Sequence, residues 1–423
     1  MTSPLHPLKI QSAAVRLANA VGAPLRGAIS FQPEFLMDKA RKFCNLADFG
    51  GGDFEEPFRI LARAMDRGMG LHFTGRVLAQ RELLRCLVNR LRIAEYCRRN
   101  PGTGNVAVPD PIVIAGLPRS GTTFLHRILA QDPRTRTLRT WELYAPVPPG
   151  WGDGNAPDPR LALMRRGMEW RRKLLLSSYG RSTARAIHHS EADDPEECWP
   201  LLQNSFRCGI FAIHGVGEEY TLWLREQDHT DAYRYYRRQL QILTASEPAG
   251  RLVVKYPEHM RRLDELFRVF PNARILWLHR DPVEAIPSAC SLGMMGRALR
   301  TNASITEDFG LKVMDAMLLL VRKGMEARQR HRPEQFLDVY YSDLTRNPMG
   351  AAQRIYEFLG WQTDREWEDC LTRYLARDRE SRKGARHRYS AEDFGLSAGT
   401  IREAFRTYTE RFLPVAECAR REV

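Results

Sequence analysis

Residues 111–124 read PIVIAGLPRSGTTF, and the fold class of the chain follows from this stretch. Pro111 to Gly116 is a short continuous apolar run of the kind that forms a buried parallel strand. A turn with small and hydroxyl side chains follows, and residues 124–131 continue with the spacing of a helix. The stretch therefore predicts a strand, a glycine-containing loop and a helix.

Three further apolar runs predict strands, and helical stretches separate them as βαβ units require. They are Leu252–Lys255, Ala273–Leu278 and Phe336–Tyr341. Before the first strand, apolar residues recur at three- and four-residue spacing, most clearly between Phe58 and Arg99. We therefore expect an α/β fold with a mainly parallel sheet flanked by helices. A helical N-terminal region (residues 1–105) precedes the main domain (106–423), which contains a helical insertion (141–250).

The composition excludes wholesale disorder and favours anionic partners. Of the 423 residues, 43% are hydrophobic and 27% are charged, which is a globular balance. Lys and Arg number 64 against 51 Asp and Glu, so the net charge is +13. That excess favours a phosphorylated cofactor, an acidic substrate, nucleic acid or a lipid surface. Because the basic residues are spread along the chain, charge alone does not choose among them.

Cysteine spacing and hydropathy indicate the compartment. The eight cysteines contain no C-x-x-C pair of the kind a zinc knuckle needs, and they lie too far apart for a compact disulfide scaffold. The apolar run Ala316–Val321 is far too short to span a bilayer. We therefore expect a cytoplasmic protein with reduced thiols and no transmembrane segment, and a peripheral membrane role stays open.

The loop between the first strand and its helix, LPRSGTT at 117–123, predicts a phosphate site. Backbone N–H groups at a helix N-terminus bind anions, and small residues permit a close approach. Ser120, Thr122 and Thr123 add hydroxyl donors, and Arg119 adds a cationic fork. For the loop taken alone, an ordinary helix cap and first turn is the alternative interpretation.

This loop differs from the nucleoside-triphosphate P-loop, G-x-x-x-x-G-K-S/T. Thr122 stands where that motif has its Lys, and no obvious Asp ends a later strand as a magnesium ligand. These departures argue against a kinase or an ATPase. They predict a phosphate group that is handled without a metal.

The segment Arg119–Phe124, RSGTTF, resembles the 5′-phosphosulfate loop of the sulfotransferases that use 3′-phosphoadenosine-5′-phosphosulfate (PAPS). A second element of that family is a strand that ends in Arg, with a Ser eight residues later, and together they hold the 3′-phosphate. Arg280 and Ser288 stand at this spacing. An Arg side chain forks a phosphate through two hydrogen bonds. The resemblance covers about residues 111–412 and is nearer to the bacterial branch than to the cytosolic one.

Two further family elements complete the cofactor site that the resemblance implies. Tyr341, in YYSDL, corresponds to a strand-end aromatic near the adenine, and residues 382–384 correspond to an R-K-G element around the 3′-phosphate. As alternatives, Tyr341 is an ordinary strand aromatic and residues 382–384 are a solvated basic loop. The full implied cofactor set is Arg119, Ser120, Gly121, Thr122, Thr123, Phe124, Arg280, Ser288, Tyr341, Arg382, Lys383 and Gly384.

Sulfuryl transfer needs a cation at the leaving oxygen and a base beside the acceptor. For the cations we select Arg119 and Lys255, since Lys255 ends a strand and strand ends line the ligand crevice of open α/β sheets. The cytosolic branch has its catalytic base, a His, two residues after this Lys, and this chain has Pro257 at that position. The resemblance therefore implies Glu142 as the base, at the position where the tyrosylprotein and Golgi branches place a catalytic Glu. His259 is the second candidate.

The segment 188–198, HHSEADDPEEC, is rich in acid–base side chains. We interpret it as a helix start, with Asp194 as N-cap, Pro195 in the first turn and Glu197 at the third helical position. His189 precedes this start and remains a candidate for acceptor binding, because similar bacterial sequences carry a His here.

Together these features predict a cytoplasmic PAPS-dependent sulfotransferase that modifies a hydroxyl or amine of an unidentified acceptor without a metal. A homo-oligomer stays open. The alternatives are a P-loop nucleotide kinase, against which the absent G-K-S/T pair argues, and a non-enzymatic nucleic-acid-binding protein, for which no recognition module is found. Aromatic residues of the insertion suit a small-molecule, lipid or glycan acceptor, although core packing explains them equally well. They are Trp170, Trp199, Phe206, Phe211 and Trp223.

Overall fold

An all-parallel sheet forms the centre of the fold in the computed structural model. The structure describes residues 6–68, 70–149, 158–187, 190–214, 217–248, 250–302, 308–381 and 390–413. Within these ranges the strands are β1 (Ile112–Gly116), β2 (Thr135–Thr137), β3 (Arg251–Lys255), β4 (Arg274–His279) and β5 (Phe336–Tyr340). Their order across the sheet is β2-β3-β1-β4-β5, and all pairs are parallel. The predicted parallel sheet is confirmed, and β2 is an additional edge strand that the sequence did not indicate.

The N-terminal region is helical, as predicted. Its helices are α1 (Pro7–Ile10), α2 (Ala13–Gly22), α3 (Pro33–Cys44), α4 (Glu55–Arg67) and α5 (Phe73–Arg99), with 3₁₀ turns at Ala23–Ala28 and Pro101–Asn105. Leu83 and Leu87 of α5 share one hydrophobic core with Val113 of β1 and Trp277 of β4. The N-terminal helices therefore belong to the same hydrophobic core as one face of the sheet.

The insertion between β2 and β3 is helical as well. Helix α6 (Thr122–Leu129) follows β1, and the insertion then contains α7 (Thr140–Tyr144), α8 (Pro159–Leu175), α9 (Ser178–Ile187), α10 (Trp199–Gln203), α11 (Ile210–Ile213), α12 (Glu218–Glu226) and α13 (Thr230–Ser246).

The remaining helices alternate with the last strands and close the fold. They are α14 (Leu263–Val269), α15 (Pro282–Ala298), α16 (Phe309–Arg330), α17 (Tyr341–Arg346), α18 (Pro348–Leu359), α19 (Arg365–Ser381), α20 (Ala398–Ala404) and α21 (Arg406–Phe412), with 3₁₀ turns at Pro257–Arg262, Pro333–Gln335 and Glu392–Phe394. No helix within the described ranges has the length and apolarity needed to cross a membrane.

Two hydrophobic cores cover the two faces of the sheet. Successive side chains of a strand point to opposite faces. Val113 and Ala115 accordingly belong to the larger core, with the N-terminal helices and the insertion, while Ile112 and Ile114 belong to the smaller core with α6 and α18. Because β1 is buried on both faces, it reads as a continuous apolar run rather than an alternating one.

The prediction of a helix that begins at Asp194 and Pro195 is wrong. Pro195 forms an isolated bridge with Arg139, and α10 begins only at Trp199. The intervening backbone runs along the sheet, where the Cys198 N–H donates to the carbonyl of Lys255 at 2.9 Å. This tertiary pairing outweighs the local capping pattern. Residues 196 and 197 are thereby placed at the carboxyl end of β3.

Candidate active site

A large cleft opens at the carboxyl ends of the central strands, where open parallel sheets bind their ligands. Its volume is about 2010 Å³. One end is formed by the loop after β1, together with Arg280 and Ser288 of the β4–α15 unit and Tyr341 at the end of β5. The volume exceeds that of a pocket for a single drug-sized ligand, about 300–1000 Å³. The cleft therefore has room for two ligands side by side.

The loop after β1 has the backbone of a tight anion cradle. Gly116 has φ +139°, and a Cβ there would lie 2.3 Å from the carbonyl oxygen of Leu278, so the strand end requires glycine. Gly121 has φ +94°, and a Cβ there would lie 2.9 Å from the Tyr341 ring. Ser120 is fully buried, and its Oγ has no hydrogen-bond partner among the described residues. Its neighbours Arg119 and Gly121 line the cleft, and the Ser120 side chain lies behind them.

The two predicted phosphate elements lie against each other. Arg119 has φ +71°, and its Nε donates to Ser288 Oγ at 2.9 Å. Arg280 Nη1 donates to the Arg119 carbonyl at 2.7 Å, while its guanidinium lies 4.1 Å from the centre of the Tyr341 ring. Glu284 accepts from the same guanidinium at 3.0 Å. Residues from three strand ends thus form one cationic corner of the cleft.

Lys255 lies buried behind the phosphate loop. Its side chain has no solvent exposure, and Nζ donates to Thr123 Oγ1 at 3.0 Å. Glu197 Oε1 lies 3.3 Å from the same Nζ, and Glu196 Oε1 lies 3.6 Å from it. A buried ammonium needs such partners, because an unpaired charge in the interior is costly. The arrangement joins a cation, a loop hydroxyl and two carboxylates at the cleft wall.

Glu142 lies away from the cleft lining. Both of its carboxylate oxygens accept from the Arg136 guanidinium, and Oε2 also accepts from the Arg139 N–H at 2.9 Å. The two side chains of this ion pair are 4% and 6% exposed. The contacts to Arg139 form the capping box of α7. In this arrangement the carboxylate joins β2 to α7, and its oxygens are already occupied.

His259 also lies outside the cleft lining. It is fully buried in the 3₁₀ turn after β3, where Nδ1 lies 2.6 Å from the Tyr233 hydroxyl and Nε2 lies 3.1 Å from Cys198 Sγ. Burial lowers the pKa of His259 to about 3, so the ring is neutral at physiological pH. These contacts fix the turn that follows Lys255.

Four predicted site residues lie outside the described residues: His189, Arg382, Lys383 and Gly384. The others that were expected to bind the cofactor are brought together: Thr122, Thr123 and Phe124 line the cleft at the start of α6. Within the described part of the chain, no group of three or more His, Cys, Asp or Glu side chains is arranged to hold a metal ion.

Glu196 and Glu197 line the cleft, and sequence reasoning did not select them. The capping pattern around Pro195 explained their charges as contributions to a helix terminus. The one signal in the sequence is the two adjacent carboxylates. They reach the site because the Cys198 N–H donates a hydrogen bond to the Lys255 carbonyl.

The end of the cleft beyond the phosphate loop has both apolar and charged walls. It is lined by side chains from α8, α15 and α16, among them Leu175, Leu292, Met295, Val313, Met317 and Leu320. The aromatic residues of the insertion contribute little to it. Trp199 lines the cleft, but Phe206 and Phe211 are buried in the core and Trp170 is exposed to solvent. Helices α15 and α16 also contribute Arg297, Lys312 and Asp315, so the cleft joins the cationic corner to a chamber with apolar and charged walls.

Known proteins share this architecture. The model of the sulfotransferase family matches residues 111–369. Two relatives, the omega-hydroxy-beta-dihydromenaquinone-9 sulfotransferases Stf3 of Mycobacterium bovis and Mycobacterium tuberculosis, are each 27% identical over 286 residues, which is 64% of this chain and 68% of theirs.

Two crystal structures are similar over most of the chain. Sulfotransferase STF9 from Mycobacterium avium has a TM-score of 0.79 and 27% identity, and covers 90% of this chain and 96% of its own. Sulfotransferase STF1 from Mycobacterium tuberculosis has a TM-score of 0.75 and 28% identity, and covers 88% of this chain and 97% of its own. The family match spans more than half of the sequence and includes the phosphate loop, Lys255 and Arg280. This chain therefore belongs to the sulfotransferase family and is a transferase enzyme.

Proposed function

We propose that this enzyme transfers the sulfuryl group of PAPS to a hydroxyl of an acceptor with a large apolar part. The observation that carries the proposal is the cationic corner, in which the glycine-containing loop after β1 is bonded to the Arg280 and Ser288 element. A phosphate loop with a second cationic element beside it suits a nucleotide that carries phosphates on both the 5′ and the 3′ oxygen of its ribose. We also admit an amine in place of the hydroxyl, and we assign the enzyme to the cytoplasm.

The residues present fit the cofactor. Arg119, Gly121, Thr122 and Thr123 of the loop line the cleft, and the 5′-phosphosulfate would lie against them. Arg280 and Ser288 would hold the 3′-phosphate, and the Tyr341 ring beneath Arg280 would lie beside the adenine. When bound, PAPS supplies an activated sulfuryl group. The protein then has only to hold it, neutralise its charge and prepare the acceptor.

Two cations carry the charge stabilisation of the leaving oxygen in our proposal: Arg119 lines the cleft, and Lys255 lies buried directly behind the loop. Arg119 lies in the loop itself, and its left-handed backbone is fixed by Arg280 at the carbonyl. Lys255 is held by Thr123, the second residue of α6. Preorganised charges of this kind need no rearrangement during the reaction. We assign charge stabilisation to these two side chains.

The base is better assigned to Glu197 than to Glu142 or His259. Glu197 lines the cleft, its side chain is 23% exposed, and its carboxylate lies 3.3 Å from Lys255 Nζ. Glu142 is held by Arg136 and the α7 cap, and His259 is enclosed by Tyr233 and Cys198. A general base must reach the acceptor proton. We assign the base to Glu197 because it lines the cleft, and it would take the proton from the acceptor hydroxyl.

The chamber supports the choice of acceptor class. Its Leu and Met side chains favour a long apolar group, its charged side chains suit a polar portion, and the reacting hydroxyl would lie next to Glu197. The Stf3 relatives are named for a dihydromenaquinone carrying a hydroxyl group. We propose an amphiphilic acceptor of similar character for this enzyme, without assigning the compound.

Calorimetric titration of the full chain separates the candidate functions. We expect adenosine 3′,5′-bisphosphate (PAP), the product nucleotide, to bind at least about 100-fold more tightly than ATP. ATP lacks the 3′-phosphate and would leave the donors of Arg280 and Ser288 without a phosphate partner. Tighter binding of ATP would favour a nucleotide kinase instead. Preferential binding of duplex DNA would favour a nucleic-acid-binding protein.

A further inference from the structure

Helix α8 is unusual in this fold because none of its residues is buried. It is a helix of 17 residues, Pro159–Leu175. Leu163, Trp170 and Leu174 are 65%, 69% and 51% exposed. Residues four and seven positions apart lie on one side of a helix, so these three form a single apolar stripe. A large exposed stripe of this kind marks an interaction site rather than a core element.

Basic side chains flank the stripe. The helix carries six basic residues and one acidic residue, Glu169: Arg160, Arg165, Arg166, Arg171, Arg172 and Lys173. By helical spacing, Arg166 and Lys173 lie beside the stripe on one side and Arg171 lies on the other. A helix with an apolar stripe, an exposed Trp and a strongly basic surround has the composition of an interfacial membrane helix.

The opposite side of α8 belongs to the cleft. Met168, Arg172 and Leu175 line the chamber, and the end of the helix is fixed to the N-terminal region. The Ser12 N–H donates to the Leu175 carbonyl at 3.0 Å, at the N-terminus of α2. On α2, Leu17 and Val21 are 65% and 70% exposed. Two neighbouring helices, of which α8 lines the cleft, therefore expose large apolar side chains.

We propose that the stripe Leu163–Trp170–Leu174 docks this enzyme on an anionic lipid bilayer. The stripe would enter the headgroup region, and the flanking arginines and Lys173 would contact lipid phosphates. In this orientation α8 lies between the bilayer and the chamber, because its apolar stripe and its cleft-lining side chains are on opposite sides. An acceptor with a long apolar chain would then pass from the bilayer to the chamber around a single helix.

Charge decides between a bilayer and a second copy of the chain. A twofold dimer through this face would place the same surface of both copies together. Each copy would then bring the basic side chains that flank its stripe, Arg166, Arg171 and Lys173, against those of the other, with Glu169 as the acidic residue of the helix. Repulsion disfavours that contact, whereas an anionic bilayer complements the same charges.

Co-sedimentation with lipid vesicles tests the docking surface. The full chain is mixed with vesicles of phosphatidylcholine alone or with about 30% phosphatidylglycerol, at low and high salt. We expect binding to the anionic vesicles that is at least about tenfold stronger than to the neutral ones and that weakens with salt. Leu174→Glu should reduce this binding by about tenfold or more, since it removes an inserted side chain and adds a repelled charge.

Leu222→Glu is the matched control. Leu222 on α12 is 53% exposed, nearly the same as Leu174, and should bind vesicles within about twofold of wild type. PAP affinity and thermal midpoint should match wild type in both variants, which shows that they are folded. Equal vesicle binding by wild type and Leu174→Glu overturns the proposal, as does the absence of binding to anionic vesicles. Self-association that Leu174→Glu abolishes, without vesicle binding, overturns it in favour of a dimer face. The readout needs no turnover, so its failure is separate from a failure of the proposed reaction.

Discussion

Replacement of Glu197 by Gln tests the assignment of the base. Gln keeps the shape of the side chain but removes the basic site. Lys255 would retain Thr123 at 3.0 Å and Glu196 at 3.6 Å, so the cationic corner should persist. Turnover should fall about 10²–10⁴-fold, which corresponds to about 2.7–5.5 kcal/mol in the barrier, while PAP affinity stays near wild type.

The matched variant Glu142→Gln should behave in the opposite way. It breaks a buried ion pair with Arg136, a loss of about 3–5 kcal/mol. For a chain of 423 residues, unfolding entropy makes each kcal/mol worth about 1 °C, so the thermal midpoint should fall by about 3–6 °C. Turnover at low temperature should stay close to wild type, because the carboxylate lies outside the cleft lining.

The assay is transfer of ³⁵S-sulfate from labelled PAPS to an alkyl hydroquinone in detergent, with the thermal midpoint measured on the same preparations. His259→Asn serves as a third variant and should also keep most of its turnover. A collapse of turnover in Glu142→Gln or His259→Asn, together with near-normal turnover in Glu197→Gln, would refute the assignment. The base would then be the residue whose replacement abolishes turnover.

Three further outcomes are expected. Arg280→Ala should weaken PAP binding about 30–1000-fold and adenosine 5′-phosphosulfate binding much less, in calorimetric titrations, because the latter lacks the 3′-phosphate. Gly121→Ala should reduce PAP affinity at least about tenfold with a smaller change in folding, since its Cβ would lie 2.9 Å from Tyr341. Burial lowers the pKa of both His126 and His259 to about 3. Below about pH 6.5 the unfolded chain therefore binds more protons than the folded one, so stability falls as the pH decreases. In denaturant titrations, the free energy of unfolding should fall by about 2 kcal/mol per histidine between pH 7 and pH 5.

Strands with an apolar signal were predictable, and the edge strand was not. The runs at β1, β3 and β4 are continuous and apolar because both faces of those strands are buried. β2 reads Thr-Arg-Thr and is a strand only because it pairs with β3 at the edge of the sheet. Such a segment has no periodic pattern of its own, so its structure depends on tertiary contacts.

The residues of the cationic corner could be predicted because their positions follow from local spacing. The positions of the acid–base residues could not, because they depend on tertiary pairing. Residues 119–124 are contiguous, and Arg280 and Ser288 stand on one strand–helix unit, so local spacing predicts their chemistry. The role of Glu142 depends on its ion pair with Arg136. Arg136 lies on β2, the strand that the sequence did not indicate. The position of Glu197 depends on a backbone pairing with β3 that replaces a locally favoured helix start.

Direct observation of group transfer tests the central claim. The full chain is incubated with ³⁵S-labelled PAPS and an alkyl hydroquinone, and in parallel with γ-labelled ATP and the same acceptor. We predict that ³⁵S appears in the extracted hydroquinone with release of an equal amount of PAP, and that no label moves from ATP. Transfer of the γ-phosphate from ATP without transfer from PAPS would contradict the account.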